Sequence, residues 1–517
     1  MKNSILIIVL AFFCMGFYSC SLDEPSYGKT TTENFYGKES DINYALTGAY
    51  LQLRNTYNEF ALNFYFIGDC TTDDALKGGS SDGDRREVLD LSYFTVYTTN
   101  AEVSRRWEIL YRLINRCNEV IYYAPDAVGD KDMLTRYVNE AKALRAFGYY
   151  FLVSSFGDVP LLTEPKTPSE ILTIPRSSAD DVYKLIEEDL TAAMSLPAKG
   201  EYDENNAYRL TRGFAKVMLA KAYMFRGDFV NAEKYLKEVV EVDGDYSLLP
   251  DYGLNWTQSY ENSSESVFEL PNKMYDRNIL TGTNVPHFFT SRRVAGYQGY
   301  GFHIPTKNLY DEFDADDPRI TYVFTQTGDR YVGDTEDQDN GESITGFHDY
   351  KSTVPRIEKE GYDIWMIPYN IRLIRYSDVL LMYAEALNEN GKSAQALKPL
   401  NAVRSRARAT NPVDPRRTKQ AYTPVVTANT LPDITTTDPA QLRQIIWKER
   451  RCELAMEGWR RDDLLRQKRF GEVMKAYAQK YDTSKGANFN DGRDYLLPIP
   501  QGEIDKSNNV LTQNPNY

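Results

Sequence analysis

Two segments of the chain repeat one spacing of small and apolar residues, and this repeat is the strongest constraint on the fold. The positions in the first segment are Ala220, Tyr223, Gly227, Ala232, Leu236 and Val239. The positions at the same offsets in the second segment are Ala384, Leu387, Gly391, Ala396, Leu400 and Val403. Small residues let two helices approach closely, and a glycine reverses the chain between them. Each segment therefore predicts a pair of antiparallel helices.

The spacing is that of a tetratricopeptide repeat, a unit that buries its apolar face by stacking on its neighbours. Tyr150, Val153 and Gly157 match its first half, and Asp158-Val159-Pro160 stands there in place of a second helix. Further apolar residues at helical spacing run from Trp107 to Cys117. The first half of the chain is therefore predicted to be a helical-repeat scaffold.

Two helix starts are marked by side chains that can bond the first free amides of a helix. Ser178 is followed three residues later by Asp181, and Asp438 is followed by Pro439 and Gln441. This pattern predicts that helices begin directly after Ser178 and Asp438.

The helical periodicity fails between about residue 250 and residue 370, where Gly, Tyr, Asp, Thr and Pro accumulate. One such run extends from Gly296 to Gly301 and another from Asp334 to Gly341. We predict irregular loops with short strands for this region. A smaller polar insertion, from Asp69 to Asp84, interrupts the early helices. Loops on a rigid scaffold usually carry binding residues, so both stretches are candidates for a binding site.

The N-terminus has the features of an export signal. Lys2 is followed by an apolar run from Ile5 to Phe13 that is too short to span a membrane. The sequence from Phe17 to Cys20 is similar to a lipoprotein box, although Phe17 is bulkier than usual. We predict that Cys20 is lipidated and becomes the mature N-terminus, which would anchor the chain durably. The alternative is an ordinary secreted protein in which Cys20 stands by chance.

Charge and cysteine content exclude several classes of protein. The chain carries 60 basic and 74 acidic residues and a net charge of -14, so its surface repels phosphate backbones and we predict no nucleic-acid partner. Its five cysteines show neither CxxC nor zinc spacing, so no disulfide framework is predicted.

No catalytic signature is found. The chain has three histidines, His287, His303 and His348, and none has the spacing of a metal site. A GxSxG elbow is absent, which removes the commonest signature of a serine hydrolase. The run from Asp334 to Gly341 does not fit the EF-hand register and is better explained as a solvated loop, with adventitious or structural calcium as the alternative. A glycosidase carboxylate pair is defined by its separation in space, so the sequence leaves that alternative open.

Several blocks of residues resemble the SusD/RagB family of nutrient-binding lipoproteins. The blocks that carry the resemblance run from Glu140 to Phe147, Phe156 to Leu161, Arg375 to Leu381, Ala384 to Ala386, Leu400 to Arg404, Glu449 to Ala455, Glu457 to Arg460, Leu497 to Pro500 and Gln513 to Tyr517. With the lipoprotein box, the resemblance covers the chain from its start to its last residue.

The resemblance implies a mainly α protein with about four tetratricopeptide-like helix pairs and an irregular, loop-rich second part that contains short strands. The expected division is a lipoprotein signal peptide at 1–19, a tether at 20–40, an N-terminal helical part at 41–250, an irregular ligand-facing part at 251–370 and a C-terminal part at 371–517 packed on the repeats. The same family implies a lipid-anchored protein of the outer membrane that faces the exterior.

The expected function follows from the same resemblance. Such proteins capture oligosaccharides or polysaccharides and act as the lid of a SusC-like TonB-dependent transporter, without a cofactor and without catalysis. Three alternatives remain open. They are the same lid role with a cargo such as peptides, a surface glycoside hydrolase, and a scaffold whose repeats assemble surface proteins.

A sugar-binding site needs aromatic rings for stacking and polar side chains that bind hydroxyl groups. The predicted ligand contacts are Tyr297, Tyr300, Phe288, Phe289 and Arg292 from the Gly-rich loop, and Asp73, Asp74 and Lys77 from the early insertion. An alternative for Tyr300 is that it anchors the loop to the helices, and an alternative for Asp73 or Asp74 is that it caps a turn.

Several charged residues of the family blocks lie on strongly apolar helices. These residues are Glu140, Arg145, Glu385, Arg404, Glu449 and Arg450. Since a buried charge needs a partner, we expect them to bond one another and loop backbones rather than ligand. Trp107 and Trp459 are expected in the core, because their helical neighbours are apolar.

Overall fold

A computed structural model describes residues 35–54, 59–272, 282–292, 299–334, 337–338, 343–355, 358 and 366–517, and all structural statements concern these residues. Cys20, the signal peptide and the tether up to residue 34 lie outside the described residues, so lipidation stays a prediction. Helices hold 51% and strands 8% of the protein, which confirms the mainly α class.

The helices and strands of the described residues are numbered along the chain. The helices are α1 Glu39–Leu53, α2 Glu59–Gly68, α3 Arg86–Ser92, α4 Ala101–Tyr123, α5 Lys131–Phe156, α6 Pro168–Ile171, α7 Ala179–Ala193, α8 Arg212–Phe225, α9 Phe229–Lys237, α10 Val285–Phe289, α11 Lys307–Tyr310, α12 Ile320–Val323, α13 Tyr376–Glu389, α14 Ser393–Ala409, α15 Pro439–Glu453, α16 Arg460–Arg466, α17 Phe470–Lys480 and α18 Gln501–Lys506. The strands are β1 Ala75–Gly78, β2 Ser266–Leu270, β3 Phe302–Pro305, β4 Phe324–Gln326, β5 Arg330–Tyr331, β6 Phe347–Asp349, β7 Ile371–Arg375 and β8 Arg417–Lys419.

The two repeated segments form the predicted helix pairs, α8 with α9 and α13 with α14. Between the helices of each pair stands a glycine in the left-handed region, Gly227 with φ +77° and Gly391 with φ +74°. Other residues rarely adopt this backbone conformation, so glycine is the residue that allows each sharp reversal. The repeat spacing was therefore a correct guide to local structure.

Eight long helices stack in order of sequence and form four pairs. The pairs are α1 with α4, α5 with α7, α8 with α9, and α13 with α14, and each pair packs on the next. The second pair corrects one expectation. A second helix does follow Gly157, but it begins only at Ala179, after an inserted segment, and packs back on α5.

Both predicted helix starts are confirmed. The Ser178 hydroxyl accepts a hydrogen bond from the Asp181 amide at 3.2 Å, and an oxygen of the Asp438 carboxylate accepts one from the Gln441 amide at 2.8 Å. Each bond satisfies one of the free amides at the N-terminus of a helix, α7 or α15.

The strands of the described residues form four small antiparallel pairs, and three of these pairs join distant parts of the chain. The pairs are β1 with β3, β2 with β7, β4 with β6, and β5 with β8. In the first, Leu76 of the early insertion lies opposite Ile304. In the second, Glu269 lies opposite Arg372. These short ladders therefore fasten the irregular region to the insertion and to the C-terminal part.

A network of buried ion pairs lies where β2, β7, α14 and α15 meet. Arg375 contacts Glu265 at 2.7 Å, Glu453 at 3.0 Å and Glu457 at 2.7 Å. Arg406 contacts Glu265 at 2.7 Å and also pairs with Glu453. Burial acts to raise the pKa of Glu453, but the positive charges of the arginines outweigh it and lower the pKa to about 2.

The network continues through Arg319, which contacts Asp317 at 2.8 Å, Glu449 at 2.6 Å and Glu453 at 3.2 Å. Glu449 also pairs with Arg404 at 2.5 Å. Lys351 completes the set through Glu457, at 2.6 Å. Five buried cations thus face five buried carboxylates, and this balance is what makes their burial tolerable.

The predicted structural role of the charged family residues is confirmed, although most of their partners are residues outside that set. Arg145 binds Asp189 through two bonds of 2.8 Å, and Glu385 binds Arg466 through bonds of 2.7 and 2.8 Å. Arg450 contacts Asp378 at 2.9 Å. The remaining partners are Arg209 for Glu140, and Arg404 and Glu449 for each other.

The aromatic and cysteine residues of the helices also lie as expected. Trp107 and Trp459 are buried in the core. Cys70, Cys117 and Cys452 are buried and free. No disulfide therefore supports the fold within the described residues, and stability rests on packing and on the ion pairs.

Replacing Arg375 with methionine should destabilise the fold by about 3 to 5 kcal/mol, because three buried carboxylates lose a partner. Urea denaturation followed by circular dichroism measures the change. Arg86→Met is the matched control, since Arg86 is exposed and pairs with Asp90 on its own helix, and we expect its stability to stay close to that of the unmodified chain. Equal stability of the two variants would contradict a structural role for the network.

Candidate functional site

A cleft of about 190 Å³ lies where the early insertion meets α2, α4 and α10. The residues that line it are Glu59, Leu62, Arg85, Glu102, Arg105, Asn284 and Phe288. They come from four separate stretches of the chain, so the cleft exists only in the folded protein. We refer to it as the first cleft.

Charged groups on one side of the first cleft are fixed by the start of α4. Asn100 caps the helix by accepting hydrogen bonds from the amides of Glu102 and Val103 at 3.0 and 3.2 Å. This cap places Glu102 in the first turn, where the helix dipole favours a carboxylate. One oxygen of Glu102 pairs with Arg85 at 2.8 Å and with Arg105, and the other accepts a bond of 3.0 Å from Asn63.

The two arginines that share Glu102 remain partly exposed. The Arg105 side chain is 29% exposed and that of Arg85 is 24% exposed. Burial acts to lower the pKa of Arg105, but Glu102 outweighs it and raises the pKa. The N–H groups of both side chains that do not bond Glu102 can donate hydrogen bonds into the cleft.

Aromatic rings support the Arg85 side chain. Its guanidinium carbon lies 5.3 Å from the centre of the Phe288 ring and 5.8 Å from that of Phe66. Tyr300 packs edge-on against Phe288 with ring centres 5.1 Å apart. The cation–π contacts hold the guanidinium in one place, as a binding group requires.

The loop after α10 is fastened to the early insertion. Arg292 donates from Nε to the Tyr300 carbonyl oxygen at 3.0 Å and from Nη2 to Asp84 at 3.4 Å. Lys77 donates to the carbonyl oxygens of Ser81 and Asp84 at 2.9 and 2.6 Å. Burial acts to raise the pKa of Asp84, but hydrogen bonds from Ser80 and the nearby cations lower it overall.

The predicted ligand residues fall into three groups, namely those in or beside the first cleft, one outside the described residues, and those inside the protein. Phe288 lines the first cleft, and Tyr300, Arg292 and Lys77 lie in the two loops beside it. Tyr300 is half-buried against Phe288 and His287, so the alternative role as a loop anchor is observed. Tyr297 lies outside the described residues. Ligand contact by these residues stays a prediction.

The structure places Phe289, Asp73 and Asp74 inside the protein. Phe289 is fully buried, and its ring packs on Tyr65, Phe66 and His303. It follows Phe288 directly in α10, and consecutive helical residues point in different directions. This side chain therefore packs in the core, which differs from the surface position that we expected.

Asp73 and Asp74 bind arginines of the C-terminal part. Arg460 contacts Asp73 at 2.9 Å, and Arg451 contacts Asp73 and Asp74 at 2.8 Å each. Burial acts to raise the pKa of Asp73, but the two arginines lower it, whereas burial keeps the pKa of Asp74 raised to about 6. These carboxylates hold the insertion in place, and a ligand contact for them stays a prediction.

Four charged residues of the first cleft were not predicted from the sequence. They are Glu59, Arg85, Glu102 and Arg105. The cap at Asn100 was a usable signal, since it fixes Glu102 and Arg105 in one helical turn. The contribution of Arg85 depends on its left-handed backbone, with φ 54°, and no pattern in the sequence marks it.

A second cleft, of about 530 Å³, lies farther along α4. The residues that line it are Gln52, Trp107, Glu108, Tyr111, Arg112, Asn115, Arg116, Glu119, Pro160, Leu162, Ile171, Leu172, Glu503, Lys506, Ser507 and Leu511. It is larger than the first cleft, but the predicted loops do not reach it. We therefore take the first cleft as the candidate site.

No group of three or more His, Cys, Asp or Glu side chains in the described part could hold a metal ion. The acidic run from Asp334 to Gly341 lies partly outside that part, so calcium binding there stays a prediction. No described helix has the length and apolar character needed to cross a membrane.

The buried side chain of His303 connects several elements near the first cleft through ion pairs. Its two ring nitrogens lie 3.0 Å from Asp69 and 3.2 Å from Asp349. Burial acts to lower the pKa of His303, but both carboxylates outweigh it and raise the pKa to about 9. Asp69 also accepts a hydrogen bond of 2.8 Å from the Gly458 amide. A charged imidazole therefore joins α2, β3, β6 and the turn before α16.

The first cleft, lined mainly by residues of α2, α4 and α10, thus stands on a scaffold of tetratricopeptide-like helix pairs. Residues 264–517 match the model of the SusD family, and residues 22–224 match a SusD-like family described as "Starch-binding associating with outer membrane". The chain belongs to the SusD/RagB family, as the sequence blocks predicted.

Similar proteins cover nearly the whole chain. SusD-like protein P2 of Formosa agariphila is 28% identical over 545 residues and covers 100% of both chains. A laminarin-binding SusD-like protein of known structure is 27% identical, with a TM-score of 0.75 over 93% of this chain and 100% of that one. A SusD homolog from Bacteroides thetaiotaomicron has a TM-score of 0.77, 24% identity and 95% and 99% coverage.

The stability of the protein should depend on pH through His303. Its pKa in the folded state lies above the ordinary value of 6.5, so its ion pairs stabilise the fold fully below about pH 6.5 and are lost as the pH rises through about 9. We expect the free energy of unfolding to fall by on the order of 2 kcal/mol over this interval. Urea denaturation at the two pH values measures it.

His303→Gln is the control for this experiment, because glutamine does not titrate. The fall in stability between the two pH values should be clearly smaller in His303→Gln than in the unmodified protein. The same pH dependence in both proteins would show that His303 is not charged in the fold.

Proposed function

We propose that the protein is a surface-exposed glycan-binding lipoprotein that captures oligosaccharides and passes them to a SusC-like TonB-dependent outer-membrane transporter. The observation that carries the proposal is the first cleft. It combines the guanidinium groups of Arg85 and Arg105, fixed by Glu102, with the ring of Phe288.

The chemistry of the first cleft suits a sugar. Hydroxyl groups both donate and accept hydrogen bonds, and the cleft offers both functions. The guanidinium groups donate. The Glu59 carboxylate, whose side chain is 33% exposed, lines the cleft and can accept hydrogen bonds.

Relatives support a glycan as cargo. The laminarin-binding SusD-like protein shares 27% of its residues with this chain over nearly its whole length. The family matched by residues 22–224 is described as starch-binding. The same description supports a location at the outer membrane, and Cys20 provides the predicted anchor.

The arrangement in the first cleft also favours binding over catalysis. Glu102 is bonded to two arginines and to Asn63, so acting as a general base would disrupt these contacts. A few hydrogen bonds and ring contacts of this kind provide about -4 to -8 kcal/mol, which is millimolar to micromolar affinity. Weak binding suits a protein that releases its cargo to a transporter.

Replacing Arg85 with alanine should weaken glycan binding at least about tenfold, because the cleft loses its best-ordered donor. Affinity electrophoresis in gels that contain laminarin, starch or other polysaccharides measures the change. Arg86→Ala is the matched control, since Arg86 is the next residue, is exposed and pairs with Asp90 on α3. Equal retardation of both variants would move the site away from the first cleft.

The same gels test the alternatives for cargo and catalysis. Absence of binding to every polysaccharide, together with binding of peptides, would favour a peptide cargo. Release of reducing ends from a bound polysaccharide would favour a glycoside hydrolase. We expect retardation without product.

The transporter role predicts a physical complex. Affinity purification of the tagged full-length protein from detergent-solubilised outer membranes should recover a TonB-dependent barrel in near-equal amount. Cys20→Ser, which removes the predicted lipid site, should shift the protein out of the membrane fraction. Recovery of the protein alone from membranes would contradict the lid role.

A further inference from the structure

One face of α4 connects the two clefts. The exposed and half-buried residues of this helix recur every three or four positions, and those that line a cleft are Arg105, Glu108, Tyr111, Arg112, Asn115, Arg116 and Glu119. This spacing places them on one side of the helix. Arg105 lines the first cleft and the others line the second, so a single solvent-facing stripe runs through both.

The boundary between the clefts is an ion pair at the surface. Arg112, which lines the second cleft, lies 3.3 Å from Glu59, which lines the first. Their side chains are 51% and 33% exposed. An exposed pair of this kind contributes little to stability and is easily rearranged. The two clefts are therefore adjacent, and this exposed ion pair lies at their boundary.

The second cleft has the surface chemistry that a sugar chain needs. Tyr111 is half-buried, and its hydroxyl donates to the Pro160 carbonyl oxygen at 2.8 Å, which fixes the ring. Trp107 supports that ring from below, with ring centres 4.9 Å apart. Gln52 and Asn115 line the same cleft and supply amide groups that can bond hydroxyls.

The charges in both clefts are balanced. The first holds Glu59 and Glu102 with Arg85 and Arg105. The charged residues of the second are Glu108, Glu119 and Glu503, and Arg112, Arg116 and Lys506. A site for sulfated or acidic sugars would need an excess of positive charge. Neither cleft has one.

We infer that the cargo is an uncharged glycan chain that lies along α4 and occupies both clefts. The inference rests on the proposed function, because it assigns a length and a charge to the ligand of that site. A short oligosaccharide fills only the first cleft, whereas a longer one also contacts Tyr111, Asn115 and Arg116.

The test is isothermal titration calorimetry on the mature chain with trimers and hexamers of uncharged glycans, from laminarin, mannan and xylan, and of charged ones, from alginate and carrageenan. We expect the protein to bind an uncharged hexamer about tenfold more tightly than its trimer, with no binding of the charged series.

Two variants locate the extra contacts. Asn115→Ala with Arg116→Gln should weaken the hexamer about tenfold and leave the trimer unchanged, whereas Arg85→Ala should weaken both. Lys184→Gln with Glu188→Gln, on the exposed face of α7, is the matched control and should bind as the unmodified chain does.

The outcomes separate the two proposals. Equal affinity for trimer and hexamer, no effect of the Asn115 and Arg116 changes, or preference for a charged series would each overturn the inference while the proposed function stands. Absence of binding to every oligosaccharide would overturn the proposed function and the inference with it. If the second cleft binds a protein instead of a glycan, trimer and hexamer should bind with equal affinity.

Discussion

The fold depends on a set of buried charges that neutralise one another. Arg375 and Arg319 bind carboxylates from before β2, from α15 and from the turn after it. The described part of residues 251–370 contains only short helices and strands, so packing of long helices does not position it. The ion pairs supply directional contacts in place of that packing. Removing any one of these side chains would leave a buried partner with an uncompensated charge.

The helical scaffold could be predicted from the sequence because its signals are local. The spacing from Ala220 to Val239 and from Ala384 to Val403 reflects contacts between residues at most about twenty positions apart. Ser178 and Asp438 each cap a helix through an amide three residues later. The family blocks extended the prediction to the complete fold. Only the insertion between α5 and α7 was misjudged, since a turn signal at Gly157 does not say how soon the next helix begins.

The candidate site was harder to predict because its contacts join distant residues. Nothing near Asp73 indicates that Arg451 and Arg460 will bind it. Composition alone does not tell an aromatic ring in a cleft from one in the core, as Phe288 and Phe289 show. Arg85 was missed because its side chain is placed by a backbone conformation and by two distant rings. Of the residues that line the first cleft, sequence reasoning named Phe288 but none of the four charged ones.

The contacts between the early insertion and the end of the chain bear on how the protein folds. Asp73 pairs with Arg451 and Arg460, and the backbone carbonyls of Cys70 and Ala75 accept hydrogen bonds from Lys485. Since synthesis proceeds from the N-terminus, these partners appear only when the chain is almost finished. The first helix pairs can form early, but the contacts that hold the insertion form last. Contacts between residues so far apart in sequence are slow to form. We therefore expect the carboxylates of the insertion to stay solvated until the C-terminal helices have formed.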